Sequence, residues 1–124
     1  MEFIKNKNLG KNGEEIAMKY LEDKGLKFIK KNYRFHKKEI DLIFEDTREN
    51  ILIFVEVKTR RSRTFGNPED SINATKVKNF KTAVKGFILE NPDFRNSSLR
   101  IDTIGIFMEG EKCVEINHIE NSFY

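Results

Sequence analysis

Apolar residues recur along the chain at two spacings, and the change of spacing separates helices from strands. From Leu9 to Lys24 they recur about every 100°, which predicts a helix ending at Gly25. The same period returns from about Ile72 to Glu90, and Asn91-Pro92 ends that helix. The two apolar stripes comprise Leu9, Gly13, Ile16, Ala17, Tyr20 and Leu21 in the first helix, and Val77, Phe80, Val84, Phe87 and Ile88 in the second.

Strands are predicted where apolar residues alternate or run densely. They cover Lys27 to Phe35, Glu39 to Glu45, Ile51 to Thr59, Leu99 to Met108 and Cys113 to Ile119. The dense run Ile51 to Thr59 is typical of a buried central strand, and the polar turn Thr47 to Asn50 predicts a hairpin with the strand before it. The order helix, three strands, helix, two strands predicts an α/β fold with one mixed sheet and flanking helices.

Length and composition predict one small domain. The 124 residues are 38% hydrophobic and 35% charged, which allows one modest core. We expect a single domain over residues 1–124, with a core of about 9–108 and a C-terminal strand and tail at 109–124. Cys113 is the only cysteine, so no internal disulfide can form, and no apolar run approaches the roughly 20 residues of a membrane helix. A cytoplasmic protein is therefore expected.

Charged residues interrupt two of the predicted strands. Asp41 lies within Glu39-Ile40-Asp41-Leu42-Ile43, while Glu56 and Lys58 lie two apart at the end of the most hydrophobic run. A period of two places Glu56 and Lys58 on one face, and hairpin pairing would bring Asp41 opposite Glu56. Two crowded carboxylates favour a divalent cation, and Mg²⁺ takes oxygen ligands. With a lysine beside them, these groups could hydrolyse a phosphodiester.

A plain ion pair is the alternative interpretation of the Glu-x-Lys pattern. Such pairs are common on solvated strand faces. Two features favour the functional interpretation: Glu56 is embedded in an apolar run where an unpaired charge is costly, and the partner carboxylate Asp41 occurs at hairpin distance.

A family resemblance rests on an ordered set of short motifs between about residues 9 and 108. The set comprises Gly10-Lys11-Asn12-Gly13-Glu14-Glu15-Ile16-Ala17, Glu39-Ile40-Asp41-Leu42-Ile43, Phe54-Val55-Glu56-Val57-Lys58-Thr59-Arg60, Phe65-Gly66-Asn67-Pro68, Lys76 and Arg100-Ile101-Asp102. In these motifs the chain resembles the YraN-like family of small bacterial proteins. That family is similar to archaeal Holliday-junction resolvases within the PD-(D/E)xK nuclease superfamily, whose fold is the restriction-endonuclease-like core.

The resemblance implies a role for each matching residue. Asp41, Glu56, the Val57 carbonyl and Glu14 would ligate Mg²⁺ or Mn²⁺, and Lys58 would be the catalytic lysine beside Asp41 and Glu56. It also implies a homodimer, since two symmetric cuts need two sites. One departure is Lys38, where the family usually has glycine before Glu-Ile-Asp.

Helix geometry separates Glu14 from its neighbour. Glu14 lies at the edge of the apolar stripe and can reach the sheet, whereas Glu15 points nearly opposite. A solvated first-turn acid, favoured by the helix dipole, is an equally good interpretation of Glu14 from sequence alone.

Basic residues follow or precede the strands that carry the acids. They are Arg60, Arg61 and Arg63, the helix residues Lys76, Lys78, Lys81 and Lys85, and His36, Lys37 and Lys38. Lys and Arg contacts to phosphate supply most non-specific nucleic-acid affinity. We assign phosphate binding to Arg60, Lys76, Arg61 and Arg63, while Lys78 and Lys85 are expected to be solvated. His118 is expected to be structural, and Asp102, on a strand beside Arg100, is expected to be an ion-pair or edge residue rather than a ligand.

Three functions are therefore weighed. The first is a Mg²⁺- or Mn²⁺-dependent DNA endonuclease, selective for junctions or branches and acting in repair or recombination. The second is a DNA-binding module that keeps the fold with weak or no catalysis. The third is a structural α/β domain held by ion pairs. Metal-dependent nicking of plasmid DNA would separate the first two.

Overall fold

A computed structural model describes residues 2–61 and 73–122, with side chains described from residue 12 onward in the first stretch. Helix α1 spans Glu2–Asp23 and helix α2 spans Ala74–Glu90, followed by a short 3-10 helix at Pro92–Phe94. The strands are β1 (Lys27–Phe35), β2 (Lys38–Asp46), β3 (Ile51–Arg60), β4 (Ser98–Glu109) and β5 (Lys112–Ile119). This α-β-β-β-α-β-β order confirms the predicted fold class.

The described strands form one mixed sheet in the order β1-β2-β3-β4-β5. The pairs β1–β2, β2–β3 and β4–β5 are antiparallel, whereas β3 and β4 are parallel. Parallel neighbours need a long crossover, and α2 lies in the segment that connects β3 to β4. The dense apolar run Ile51–Arg60 is thus the central strand, as predicted.

Apolar side chains cover both faces of this sheet. Phe54 and Ile43 pack on one face against Phe80 and Phe87 of α2. The other face packs against α1, through a cluster that comprises Ala17, Leu21, Leu42, Phe44, Ile53, Val55, Ile104, Ile106 and Met108. Burial on both faces explains why β3 is a continuous apolar run rather than an alternating one. A charged residue embedded in β3, such as Glu56, must therefore form an ion pair or bind a ligand.

Helix α1 lies very close to β3 near the end of that strand. A Cβ atom added to Gly13 would overlap the hydroxyl of Thr59, so a glycine is required for this approach. The next residue along the helix is Glu14. The contact at Gly13 therefore brings Glu14 to the end of β3 that carries Glu56 and Lys58.

Strands β2 and β3 separate before β2 reaches its first residue. Their ladder runs from Asp46 opposite Ile51 to Leu42 opposite Val55. Pairing of β1 with β2 continues to Phe35 opposite Lys38. The β1–β2 hairpin therefore leaves β3 beyond Val55, and a cleft opens between the two strands. Both Asp41 and Glu56 lie immediately beyond the last pair of the ladder.

The turn before β2 accommodates Lys38 at the position where the family resemblance predicts glycine. The left-handed residue of that turn is His36, with φ +58, and Lys38 already belongs to β2. No glycine is needed at position 38, so the departure leaves the path to Asp41 intact. Neither described helix is long and apolar enough to cross a lipid bilayer.

Candidate metal and nucleic-acid site

Asp41 caps the end of the β2–β3 ladder. Its Oδ2 accepts a hydrogen bond from the Val57 backbone N–H at 2.8 Å. A residue in a strand directs its N–H and C=O to the same side, so the Val57 carbonyl faces the same cleft as Asp41. The Asp41 carboxylate and the Val57 carbonyl, which the family resemblance implies as metal ligands, thus share one opening.

The ionised form of Asp41 is disfavoured at this position. Burial, together with the neighbouring charges of Glu14, Glu56 and Glu39, raises the pKa of Asp41 to about 7, against the opposing effect of the hydrogen bond from the Val57 N–H. Four acids therefore act on one another at the cleft. A bound cation would relieve both the repulsion and the desolvation.

Glu56 is buried, with 7% of its surface exposed. Its Oε1 receives two ammonium groups, from Lys58 at 3.0 Å and from Lys76 at 2.8 Å. Its Oε2 is also buried and has no hydrogen-bond partner among the described residues. Oε1 thus has two charged partners, whereas Oε2 has none among the described residues. Leaving a buried carboxylate oxygen without a partner costs free energy, and Oε2 is therefore available as a ligand atom.

Lys58 lies on the same face of β3 as Glu56, as the period of two predicts. Its side chain is 13% exposed. Burial lowers the pKa of Lys58, and the nearby ammonium of Lys76 lowers it further, although Glu56 opposes both effects. A lysine with a lowered pKa can exchange a proton more readily near neutral pH.

Glu14 faces this site and Glu15 does not. Glu14 is half-buried whereas Glu15 is exposed, so the predicted difference between them is confirmed. Burial raises the pKa of Glu14, with a further contribution from the negative charge of Glu39. Glu39 is part of the Glu39-Ile40-Asp41 motif, but the motif alone predicts no role for it. Its position two residues before Asp41 was the signal that could have identified it as a fourth acid.

The basic residues divide between the cleft and its surroundings. Lys37 and Lys38 line a pocket of about 200 Å³ with Glu39, Glu56, Lys76, Asn79 and Phe80. Arg60 donates to the Thr59 carbonyl at 3.0 Å, and the Nε of Arg61 is buried without a partner in the described part of the chain. Arg63 lies outside the described residues.

The lysines of α2 differ in their surroundings, and their spacing along the sequence did not predict this difference. Lys78 and Lys85 are exposed, as expected. Lys76 instead turns toward the acids and pairs with Glu56, with its side chain 33% exposed. Its assigned role in phosphate binding stays a prediction, but its position is inside the cleft.

A second set of buried polar groups lies elsewhere in the sheet. Asp102 is fully buried and accepts hydrogen bonds from Arg100 at 3.0 Å, His118 at 2.8 Å and the Asn121 N–H at 3.2 Å. The predicted Arg100–Asp102 pair is thus present. The contact between Asp102 and His118 was not predicted from the sequence. Tyr20 completes the set by bonding the other ring nitrogen of His118 at 3.1 Å.

Comparison with known sequences matches most of the chain to one family. Residues 13–106 match the model of "Uncharacterised protein family UPF0102". A UPF0102 protein of Desulforamulus reducens is 38% identical, over 96% of this chain and 98% of its own length. A UPF0102 protein of Syntrophomonas wolfei is 39% identical, over 95% of this chain and 99% of its own length. A UPF0102 protein of Flavobacterium psychrophilum is 38% identical, over 94% of this chain and 94% of its own length.

The YraN-like resemblance noted in the motifs agrees with these matches. They cover nearly the full length of the relatives, and the matched range includes Glu14, Asp41, Glu56 and Lys58. The chain therefore belongs to the UPF0102 family.

Proposed function

We propose that this protein is a metal-dependent DNA endonuclease whose site is the cleft between β2 and β3. The observation that carries the proposal is the state of Glu56. One of its oxygens is buried without a partner among the described residues, and Asp41 beside it has its pKa raised to about 7. Buried acids that serve only the fold are normally satisfied, so an incomplete pair at a cleft favours a function.

Four oxygen donors suit a divalent cation at this position. Asp41, Glu56 and the Val57 carbonyl would hold Mg²⁺ or Mn²⁺, with Glu14 assisting directly or through water. Hard oxygen donors of this kind are the ligands that Mg²⁺ and Mn²⁺ prefer. When bound, the cation would stabilise charge on the phosphoryl oxygens of a substrate.

The chain's own part in the reaction falls to Lys58. In its neutral form, Lys58 Nζ can accept a proton from the attacking water; as an ammonium, it can stabilise charge on the phosphate. The water oxygen forms a bond to phosphorus, the P–O bond to the leaving sugar oxygen breaks, and that oxygen takes up a proton. The lowered pKa of Lys58 favours the first role.

The basic residues around the cleft support a nucleic-acid substrate. Lys37, Lys38, Arg60 and Arg61 are near the ends of the strands that carry the acids, and the chain carries a formal net charge of +3. These side chains would bind phosphates without reading sequence. The family resemblance adds three points to the proposal: selectivity for junctions or branches, a role in repair or recombination, and a homodimer with two sites.

The direct test is nicking of supercoiled plasmid in Mg²⁺ or Mn²⁺. We expect metal-dependent nicking by the wild-type protein and a loss on the order of a hundredfold or more in Lys58→Ala, since a positioned acid–base group contributes about that much. Lys85→Ala removes the same charge from an exposed position of α2 and is the matched control.

Two results would decide against catalysis. If Lys58→Ala and Lys85→Ala nick equally, the observed activity does not come from this cleft. If the protein binds DNA and metal but nicks neither duplex, flap nor four-way-junction DNA, the non-catalytic DNA-binding module is the better account.

A further inference from the structure

Lys76 reaches the acids from a different element than Lys58 does. Lys58 lies two residues after Glu56 on β3, so its position beside Glu56 does not depend on how the helices pack. Lys76 belongs to α2, and its ammonium is 2.8 Å from the same oxygen, Glu56 Oε1. The contact therefore depends on how one side chain of α2 is placed, and it can be broken without disturbing the strand.

The position of Lys76 in its helix is unfavourable for a cation. It lies in the first turn of α2, after the N-cap Asn73, whose side chain accepts from the Lys76 N–H at 2.9 Å. The N-terminal end of a helix carries partial positive charge and favours acids, yet the first turn of α2 contains none. The attraction of Glu56 offsets this local cost.

Exposure distinguishes the two lysines. The side chain of Lys76 is 33% exposed, whereas that of Lys58 is 13% exposed. Lys76 also lines the pocket that contains Glu56, Lys37 and Lys38. Its ammonium can therefore withdraw into water along a path that Lys58 lacks, at little cost in packing.

We propose that Lys76 is the resident counterion of Glu56, and that a divalent cation entering the cleft displaces it. This inference rests on the proposed metal site and adds its regulation: the metal-free cleft is held by an ammonium that competes for the same carboxylate. The displaced ammonium remains at the mouth of the cleft, beside Lys37 and Lys38.

Competition makes a prediction that a structural ion pair does not. Lys76→Met removes the charge and keeps the length of the side chain, so Mn²⁺ should bind the variant more tightly than the wild type, by roughly fivefold or more for a partly exposed charged hydrogen bond. Lys78→Met is the matched control, because Lys78 is exposed on the same helix. Lys76→Arg keeps the charge and should restore the weaker affinity.

The binding experiment is a calorimetric Mn²⁺ titration of the wild type and these variants, without DNA. Equal affinities of Lys76→Met and Lys78→Met, or weaker binding by Lys76→Met, would overturn the inference while leaving the metal site standing. Absence of Mn²⁺ binding by the wild type would overturn the proposed function together with the inference.

A second measurement uses the wild-type protein, so it does not depend on the folding of a variant. Amine acylation of Lys76, followed by mass spectrometry, should increase severalfold when Mn²⁺ is added, relative to acylation of Lys78 in the same sample. Asp41→Asn should lose the increase. Unchanged labelling of Lys76 in protein that calorimetry shows to be metal-loaded would contradict displacement.

Discussion

Asp102, which is buried, and Asp41, which is half-buried, have opposite surroundings in this sheet. Asp102 is enclosed by Arg100, His118 and the Asn121 N–H. Burial alone would raise the pKa of Asp102, but the hydrogen bonds from His118 and Arg100 hold it below its ordinary value. For Asp41 the surroundings work the other way, and its pKa is raised to about 7.

The difference favours a structural role for Asp102 and supports the metal site that we propose at Asp41. Asp102, His118 and Glu120 have ligand atoms within 4.8 Å of one another and could by geometry hold a metal. However, the Arg100 guanidinium already contacts Asp102 at 3.0 Å and Glu120 at 3.4 Å. A built-in cation fills that position, whereas the cleft at Asp41 retains an unsatisfied carboxylate oxygen among the described residues.

The largest expected effect on stability is at Asp41, and it depends on pH. Because the folded-state pKa is about 7 against an ordinary 3.8, ionisation of Asp41 costs folding free energy. That cost appears as pH rises from about 4 through 7 and remains above it, reaching at most about 4 kcal/mol. In metal-free buffer, the excess stability of Asp41→Asn over wild type should therefore grow across this range.

Urea unfolding of both proteins at a series of pH values measures this difference. Asp93→Asn removes the same formal charge from an exposed position of the short 3-10 helix and reports the effect of charge alone. A constant difference between Asp41→Asn and wild type from pH 4 to 8 would mean that Asp41 ionises at no cost, and the comparison with Asp102 would fail.

Asp102→Asn should act in the opposite direction. The substitution leaves Arg100, whose side chain is 17% exposed, with only Glu120 as a charged partner, at 3.4 Å and with a side chain 57% exposed. Breaking a buried pair in this way should cost roughly 3 kcal/mol at pH 7. Because the pKa of Asp102 is lowered, its contribution is present above its ordinary pKa and is lost as pH falls further.

Denaturant unfolding at pH 7 measures this loss, and the response to Mn²⁺ completes the test. Asp102→Asn should bind Mn²⁺ as the wild type does. If it stops binding Mn²⁺ while remaining folded, the metal site is at Asp102, His118 and Glu120 instead of the cleft.

A smaller effect is expected at the first helix. Glu14→Gln should weaken Mn²⁺ binding several times more than Glu15→Gln, because Glu14 is half-buried at the cleft and Glu15 is exposed on the same helix. Calorimetric titration of the two variants gives the comparison. Equal, negligible effects would return Glu14 to the role of a solvated helix residue.

Sequence periodicity predicted the strands well and the ends of the helices less well. β1 has the predicted limits, Lys27–Phe35, because alternation and the following turn define them. Helix α1 begins at Glu2 instead of Leu9, since the only apolar residues in its first turns, Phe3 and Ile4, are adjacent and show no helical period. Helix α2 begins at Ala74, and the N-cap Asn73 was a signal that could have placed its start.

The candidate site was predictable only where it depends on local spacing. The face shared by Glu56 and Lys58 follows from a period of two, and their contact at 3.0 Å agrees with it. The contact of Lys76 with Glu56 depends on how α2 packs on the sheet, which no spacing encodes. The Asp102–His118 bond depends on the β4–β5 register, in which His118 pairs with Ile104.

The most direct measurement of the central claim is thermal unfolding of wild type, Asp41→Asn and Glu56→Gln across a Mn²⁺ titration. The wild type should gain about 2.7 kcal/mol at a hundredfold excess of Mn²⁺ over its dissociation constant, since the cation binds only the folded cleft. Both variants should lose most of this gain, while Asp41→Asn starts from higher stability without metal. If all three proteins shift identically with Mn²⁺, Asp41 and Glu56 do not form a metal site, and the proposed nuclease function is contradicted.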